Sequence, residues 1–211
     1  AARCGDTAAG YIAFFYSLDS PVPPRWKIRA PTADLIQLKA FGGQKTDSWF
    51  DVYEFTAGKD GSHSKTDMDS TADRIDKMIE EEAALLGGDY SKIFLGGFSQ
   101  GCMLSLYVIM RRGCRQFQER QPPAKLLGGV LGMSGVLFSY IPLPPQEYHP
   151  PILIVHGTAD QMVPFEATMM AYSREGFQER ENVVVVEIEG MDHSIWPQAI
   201  RLMRQFFNKF S

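Results

Sequence analysis

Ser99 lies in the pentapeptide Gly-Phe-Ser-Gln-Gly at residues 97–101, between an apolar run at residues 93–96 and a longer one at residues 103–110. A serine in a G-x-S-x-G sequence between a strand and a helix is typical of a nucleophile elbow. The turn places the hydroxyl at the start of a helix, where backbone N–H groups stabilise developing negative charge. An ordinary strand-to-helix turn with small residues is the simpler alternative. The pattern in this context favours a catalytic serine.

Two further side chains would complete such a site. A serine hydroxyl needs a general base at neutral pH, and the base needs a group that orients it. His193 follows an apolar run at residues 183–188, and Asp160 follows another at residues 152–155. Both would lie in loops at the carboxyl edge of a parallel sheet, where functional residues collect. Asp160 could instead be a turn residue, and Asp192 is the alternative acid, but adjacent side chains rarely face each other.

The remaining histidines have simpler interpretations. His156 precedes a glycine at the end of a predicted strand, so we interpret it as structural. His63 and His149 lie in polar or proline-rich loops, where we expect them to be solvated. Three closely spaced acids (Asp67, Asp69 and Asp73) lack the glycine and distal glutamate of a calcium loop. We therefore predict neither a metal site nor a cofactor.

The elements that must position these residues alternate along the chain. Hydrophobic periodicity predicts helices over residues 7–18, 72–86, 103–112 and 199–210, the second opened by a capping box at residues 70–73. Strands or extended segments are expected at residues 26–29, 34–41, 93–96, 126–133, 152–155 and 183–186. Residues 58–69 are polar and read as a surface loop. The alternation predicts an α/β fold with a mostly parallel sheet flanked by helices.

Composition narrows the class of protein. The chain has 211 residues, 45% of them hydrophobic and 22% charged, which fits one globular domain spanning residues 1–211. Its net charge of −4 implies no basic surface for nucleic acid, and we interpret Arg111 and Arg112 as the basic end of a helix. No apolar span of 18 residues predicts a transmembrane helix.

Cysteine usage points to a reducing compartment. The chain has three cysteines, Cys4, Cys102 and Cys114, and no pair has metal-ligand spacing. An odd number in a domain of this size makes a cytoplasmic location the simplest expectation. We interpret Cys102, next to the pentapeptide, as a small packing residue.

Three motifs in this order resemble the acyl-protein thioesterase, lysophospholipase and carboxylesterase family of α/β-hydrolases. They are the pentapeptide at 97–101, His-Gly-x-x-Asp-x-x-Val-Pro at 156–164 and Glu-Gly-Met-x-His-Ser at 189–194. Shorter matches are Gly-Asp-Thr at 5–7, Pro-Thr-Ala at 31–33 and Ser-Trp-Phe-Asp at 48–51. The resemblance covers nearly the whole chain, and the order serine, acid, histidine agrees with an α/β-hydrolase.

The resemblance implies roles for individual residues. Ser99 would be the nucleophile, His193 the general base and acid, and Asp160 the orienting acid. The backbone N–H groups of Gln100 and Cys4 would form the oxyanion hole. Four apolar residues near the motifs are candidates for an acyl-binding groove, although core packing is an alternative for each: Leu137, Phe138, Met162 and Ile195.

The substrate implied is an acylated protein, such as one carrying a palmitoyl thioester, or a lipid or small ester. The implied activity is hydrolysis of esters or thioesters through an acyl-enzyme. A lysophospholipase and a catalytically impaired acyl-binding protein stay open as alternatives. Contact with a membrane surface would be transient, and the protein would be a monomer or a weak homodimer.

The start of the chain departs from the family. Residues 2–6 read Ala-Arg-Cys-Gly-Asp where the family has His-Gly-x-Gly-Asp, and no apolar strand precedes them. In the family that strand lies beside the nucleophile strand, and unpaired backbone groups left in the core would each cost about 1–3 kcal/mol. We therefore expect a sheet that lacks this strand. The open explanations are an N-terminally truncated chain, a rearranged sheet or an impaired enzyme.

Overall fold

The structure is a computed structural model that describes residues 5, 8–17, 20–54, 61–119 and 125–210. The helices are α1 (Ala8–Phe15), α2 (Lys65–Leu85), α3 (Gln100–Gln118), α4 (Phe165–Ser173) and α5 (Pro197–Phe210). The strands are β1 (Asp34–Leu38), β2 (Gln44–Ser48), β3 (Phe94–Phe98), β4 (Gly129–Met133), β5 (Ile152–Gly157) and β6 (Val183–Ile188). Short 3₁₀ helices occupy Lys39–Phe41, Tyr90–Lys92 and Arg174–Glu179.

A parallel sheet organises the molecule. Strands β3, β4, β5 and β6 lie side by side in that order and all run in the same direction. Strands β1 and β2 form a separate antiparallel hairpin. Strand β1 lies in the extended segment expected at residues 34–41, whereas β2 was not predicted. The predicted α/β architecture with a parallel sheet is thus confirmed.

Helices cover both faces of this sheet. Successive strand residues point to opposite sides, so an apolar strand presents apolar side chains to the helices on each face. On β5, Ile152 and Ile154 join one buried cluster, whereas Leu153 and Val155 join another. The first cluster includes residues of α2 and α3, and the second includes residues of α5. The near-continuous apolar sequence of β5 therefore reflects burial on both faces.

The outer edge of β3 borders no strand of the residues that the structure describes. Within the described ranges, β3 pairs with β4 alone. Residues 26–29, where we expected a short strand, are not a strand. Instead they border a cavity of about 730 Å³ beside β3, lined in part by Trp26, Phe94 and Leu95. Among the described residues, no strand pairs with this side of β3, and the residues aligned with the family's first motif lie mostly outside the described ranges.

Helix α2 begins earlier than the sequence predicts. Lys65 is its first residue, and the hydroxyl of Ser64 accepts a hydrogen bond from the N–H of Asp67 at 3.2 Å. Asp67 also places a negative charge in the first turn, where it interacts favourably with the positive end of the helix dipole. The prediction that residues 70–73 cap this helix is therefore wrong, because the Ser64 cap starts the helix earlier.

Of the helices in the described ranges, none has the length and hydropathy of a membrane-spanning segment.

Helix α3 continues to Gln118, well past the arginines expected to end it. Arg111 and Arg112 lie within the helix and face α2, where both contact the carboxylate of Asp76. Arg112 also contacts Glu80 at 2.9 Å. The interpretation of these arginines as the basic end of a helix is wrong, because acidic side chains on α2 hold them in a contact between helices.

Candidate active site

Ser99 lies in a strained turn between β3 and α3. Its backbone has φ 56° and ψ −121°, a conformation that L-residues rarely adopt. A Cβ added to Gly97 would lie 2.1 Å from the carbonyl oxygen of Gly101, so only glycine fits there. The two glycines of the pentapeptide therefore lie in contact, and this contact lets the strand turn directly into the helix.

Hydrogen bonds hold the turn from both sides. The N–H of Ser99 donates to the carbonyl oxygen of Met133 at the end of β4, at 2.8 Å. The carbonyl of Ser99 accepts from Cys102 and Met103 in the first turn of α3. Rare backbone conformations persist where the surroundings determine them in this way. The serine is half-buried at the carboxyl edge of the sheet.

Asp160 and His193 are hydrogen-bonded to each other. Their Oδ2 and Nδ1 atoms are 2.8 Å apart, with the carboxylate fully buried and 14% of the histidine side chain exposed. The other oxygen, Oδ1, accepts the N–H groups of Met162 and Val163 at 3.0 and 2.9 Å. Asp192, the alternative acid, instead accepts from the side chains of Ser194 and Trp196. The choice of Asp160 as the partner of His193 agrees with this geometry.

The environment of Asp160 favours its charged form. Burial by itself raises the pKa of this carboxyl, but the hydrogen bonds from His193 and from the N–H of Val163 lower it. The net pKa lies below the ordinary value for an aspartate. An ionised carboxylate only accepts hydrogen bonds, so Nδ1 of His193 is the donor in this bond, and in the neutral imidazole Nε2 is the nitrogen that can accept a proton.

The loops that carry the acid and the histidine are hydrogen-bonded to each other. The N–H of Thr158 donates to Ile188, and that of Ala159 donates to Met191. The hydroxyl of Thr158 accepts from the N–H of Gly190 at 2.8 Å. A Cβ on Gly157 would lie 2.0 Å from the carbonyl oxygen of Met191, so glycine permits the close approach.

The serine shares this edge of the sheet with the other two residues. Ser99 directly follows β3, Asp160 follows β5, and His193 follows β6. Because these strands are parallel, their carboxyl ends lie on one side of the sheet. The rings of His193 and Phe98, the residue before the serine, have centroids 4.8 Å apart. The structure thus brings the histidine next to the turn that carries Ser99.

The other predicted site residues lie in different environments. Gln100 is the first residue of α3 and is buried, whereas Cys4 falls outside the described residues. Met162 is 53% exposed beside Asp160. Leu137 and Phe138 are only 1% and 3% exposed, so they belong to the core and do not line an open groove. Ile195 is half-buried against the cluster under α5.

His63 is not solvated as expected. It is 5% exposed, its ring stacks on Phe138 with centroids 3.8 Å apart, and its Nε2 lies 2.6 Å from the hydroxyl of Tyr140. The ring of Phe50 packs edge-on against both His63 and Phe138. The sequence signal for this contact was the pair of aromatic residues at 138 and 140. The polar residues around His63 led instead to the prediction of a solvated loop. His149 is exposed, as predicted.

Two buried polar residues near the edge have no obvious chemical task. His156 is fully buried, its Nε2 donates to the carbonyl of Val163 at 2.9 Å, and burial lowers its pKa, so the ring is neutral. Ser134, after β4, has φ 48° and a buried hydroxyl without a hydrogen-bond partner among the described residues. Within the described ranges, no three acidic, histidine or cysteine side chains are arranged to hold a metal ion.

Cys102 packs beneath the turn. It is fully buried, and a Cβ on Gly135 would lie 2.5 Å from its own Cβ, so the two segments are in close contact. Burial raises the pKa of its thiol to about 12. The thiol therefore stays protonated, and the residue acts as an apolar packing group.

The matching family model and the similar curated proteins agree with the family that the three motifs resemble. The family model described as Phospholipase/Carboxylesterase matches residues 4–211. Acyl-protein thioesterase 1 homolog 1 of Dictyostelium discoideum is 27% identical over 97% of this chain and 86% of its own length. Acyl-protein thioesterase 1 of Debaryomyces hansenii is 30% identical over 78% of this chain and 67% of its own length.

Solved structures share the fold. SOBER1 of Arabidopsis thaliana superposes with a TM-score of 0.74 and 24% identity, covering 99% of this chain and 95% of its own. Acyl-protein thioesterase 2 of Zea mays has a TM-score of 0.71 and 22% identity, covering 99% of this chain and 90% of its own. At these sequence identities, the structural similarity shows that the proteins share the α/β fold.

Proposed function

Because the chain belongs to the phospholipase/carboxylesterase family of α/β-hydrolases, a family of ester hydrolases, we propose that it cleaves carboxylic esters and acyl-protein thioesters through Ser99, His193 and Asp160. The observation that carries the proposal is the 2.8 Å hydrogen bond between Asp160 and His193 at the sheet edge that holds Ser99. Three residues with these roles form the catalytic unit of serine hydrolases on several folds.

The first half of the reaction acylates Ser99. Nε2 of His193 takes the hydroxyl proton while Oγ attacks the carbonyl carbon, and the charge of Asp160 stabilises the resulting imidazolium. The negative oxygen of the tetrahedral intermediate is held by the N–H of Gln100, with that of Cys4 as the second donor we propose. The intermediate then collapses, the bond to the leaving group breaks, and His193 returns the proton to that group.

The second half releases the acyl group. A water molecule gives a proton to Nε2 of His193 as its oxygen attacks the acyl carbon. The ester bond to Ser99 then breaks, and His193 returns the proton to Oγ, which regenerates the free serine and the neutral imidazole. Thiols have a pKa of about 8.5, so a thiolate leaves with less help from an acid than an alkoxide does. The same residues therefore serve esters and thioesters.

Proteins acylated on cysteine, such as palmitoylated ones, are the substrate class that the names of the relatives support. A lysophospholipase is the second candidate within the family, since the matching family model is described by phospholipase as well as carboxylesterase. Comparing a palmitoyl-cysteine peptide with a lysophospholipid of the same chain length separates the two. A catalytically impaired acyl-binding protein would bind both and turn over neither.

Intact-mass detection of fluorophosphonate labelling tests the proposal without needing the natural substrate. We expect one adduct on the unsubstituted protein and none on Ser99→Ala. A folded protein that forms no adduct would contradict the enzyme proposal and favour the acyl-binding alternative. A panel of esters and thioesters of increasing chain length then measures the preference.

A further inference from the structure

We propose that the side chain of Gln100 is a positioning group that fixes the oxyanion-binding N–H of its own backbone, by joining the serine turn to the segment after β2. The inference rests on the proposed function of Ser99 and adds a role for a side chain. The sequence pattern assigns a role only to the backbone of this residue. Gln100 is 5% exposed, which is unusual for a glutamine at the start of a helix.

Three hydrogen bonds connect this amide to residues about fifty positions away in the sequence. Its Oε1 accepts from the hydroxyl of Ser48 at 2.9 Å and from the N–H of Trp49 at 3.2 Å. Its Nε2 donates to the carbonyl oxygen of Phe50 at 3.2 Å. Every one of these partners lies in the stretch that begins at the last residue of β2.

The orientation of the amide follows from its partners. The N–H of Trp49 can only donate and the carbonyl of Phe50 can only accept, so Oε1 must face Trp49 and Nε2 must face Phe50. A buried amide that meets a matching donor and a matching acceptor on one rigid segment has one favourable position. The side chain of Gln100 is therefore fixed with respect to the segment after β2.

Fixing the side chain of Gln100 also restricts the peptide group between Ser99 and Gln100, which carries the proposed oxyanion donor. The N–H of Gln100 belongs to the peptide bond that follows the strained backbone of Ser99. Donors at an oxyanion site are effective only when they are held in place before the charge develops. Hydrogen bonds to Met133 of β4 and to the first turn of α3 hold Ser99, and the Gln100 amide adds an anchor to the segment after β2 at the residue that donates.

The chain offers a matched control for a purely structural role. The hydroxyl of Thr71 on α2 donates to the carbonyl of Trp49 at 2.7 Å, so it anchors the same segment without touching the serine turn. If Gln100 only stabilised that segment, Thr71→Val and Gln100→Met would have similar effects on catalysis. If Gln100 positions the oxyanion donor, only its own substitution would impair catalysis.

The decisive experiment compares these variants with the unsubstituted protein. We expect Gln100→Met to lower kcat for a short-chain ester by about 10- to 100-fold, with KM changed less than about threefold, because misplaced groups weaken transition-state binding. Inhibition by a trifluoromethyl ketone, which forms a tetrahedral adduct on the serine, should weaken by a similar factor. Thr71→Val should leave kcat and inhibition unchanged. Equal effects from both variants, or an unchanged inhibition constant in Gln100→Met, would overturn the inference.

A second pair of variants keeps the test valid if Gln100→Met does not fold. Ser48→Ala removes one of the three hydrogen bonds and should lower kcat by about three- to tenfold. Gln100→Glu has the same shape but presents a carboxylate oxygen to the carbonyl of Phe50 until it is protonated. Its kcat relative to the unsubstituted protein should therefore rise about threefold or more between pH 8 and pH 6, since burial raises a carboxyl pKa. The inference would be contradicted if the relative kcat of Gln100→Glu did not change with pH and Ser48→Ala had the kcat of the unsubstituted protein.

Failure of the inference differs from failure of the proposed function. A protein that lacks the fluorophosphonate adduct on Ser99 fails as an enzyme, and the role of Gln100 fails with it. A protein that forms the adduct and turns over esters, but whose Gln100→Met variant has unchanged kcat and inhibition, refutes the positioning role alone.

Discussion

Arg112 of α3 and Asp76 of α2 form an ion pair in which Nη1 and Oδ1 are 3.0 Å apart and the two side chains are only 6% and 11% exposed. Asp76 also contacts the guanidinium groups of Arg111 and Arg115. Removing one partner of a buried pair leaves uncompensated charge in the interior. The pair thus links two helices at a point where a single substitution has a large cost.

We predict that Asp76→Ala lowers the free energy of unfolding by about 3–5 kcal/mol. The substitution removes the buried carboxylate that three arginines share, and Arg112 keeps the half-exposed Glu80 as its acidic partner. Chemical denaturation followed by circular dichroism measures this change. The control is Glu81→Ala, which removes an exposed partner of Arg29 and should cost less than about 1 kcal/mol. Equal losses in the two variants would show that burial of the Asp76 pair has no energetic weight.

Gly97→Ala should prevent the serine turn from forming. The added Cβ would overlap the backbone of Gly101, which cannot move without displacing the start of α3. We expect no fluorophosphonate adduct and a fall in Tm of more than about 10 °C, since strain of several kcal/mol shifts a domain of this size by that amount.

The neighbouring glycine is the control for that substitution. A Cβ on Gly96 would meet the carbonyl oxygen of Leu131 at 3.5 Å, an ordinary contact. Gly96→Ala should therefore keep the adduct and most of the thermal stability. If both alanine variants behaved alike, the contact between the glycines of the pentapeptide would not explain the motif.

Asp160→Asn should reduce kcat by about 10⁴-fold while leaving the fold intact, by analogy with the measured effect in a serine protease. The amide would present an N–H to Nδ1 of His193, which favours the tautomer that has its proton on Nε2. That tautomer cannot accept the proton of Ser99. Steady-state kinetics on a short-chain ester gives the loss, and Asp192→Asn is the matched control that should retain activity within about threefold. Similar losses in both variants would contradict the choice of Asp160 as the orienting acid.

The charge of Asp160 should also make stability depend on pH. Its folded-state pKa lies below its unfolded value, so the unfolded chain takes up a proton first as the pH falls. The stabilisation is fully present above the ordinary carboxyl pKa of about 4 and is lost as the pH falls through the lower folded value. Denaturation curves of Asp160→Asn should show a shallower loss of stability between about pH 5 and pH 2 than the unsubstituted protein does. Identical slopes would refute this contribution.

The sequence predicts the parallel sheet and the residues at its edge because their signals are local. Apolar runs of strand length precede Ser99, Asp160 and His193 closely, and parallel strands bring such positions together. The hydrogen bond between the acid and the histidine then depends on two short loops. For these three residues, local pattern and tertiary position agree, although their catalytic roles stay predictions.

Other features depend on distant partners that the sequence does not reveal. Arg111 and Arg112 resemble the basic end of a helix until Asp76, on another helix, is placed opposite them. His63 lies among polar residues, yet aromatic rings from the segment after β4 bury it. The three bonds of the Gln100 amide join segments fifty residues apart, and no periodicity predicts which side chain will span such a distance.

The cross-bonded loops after β5 and β6 have a consequence for local opening of the molecule. Thr158 donates to the last residue of β6, Ala159 donates to Met191 in the second loop, and Gly190 donates back to the first. Amide protons that depend on the same set of contacts become exposed to solvent in the same opening event. Hydrogen exchange at these three amides should therefore follow one common rate, so the acid and the base would be lost and regained as a single unit.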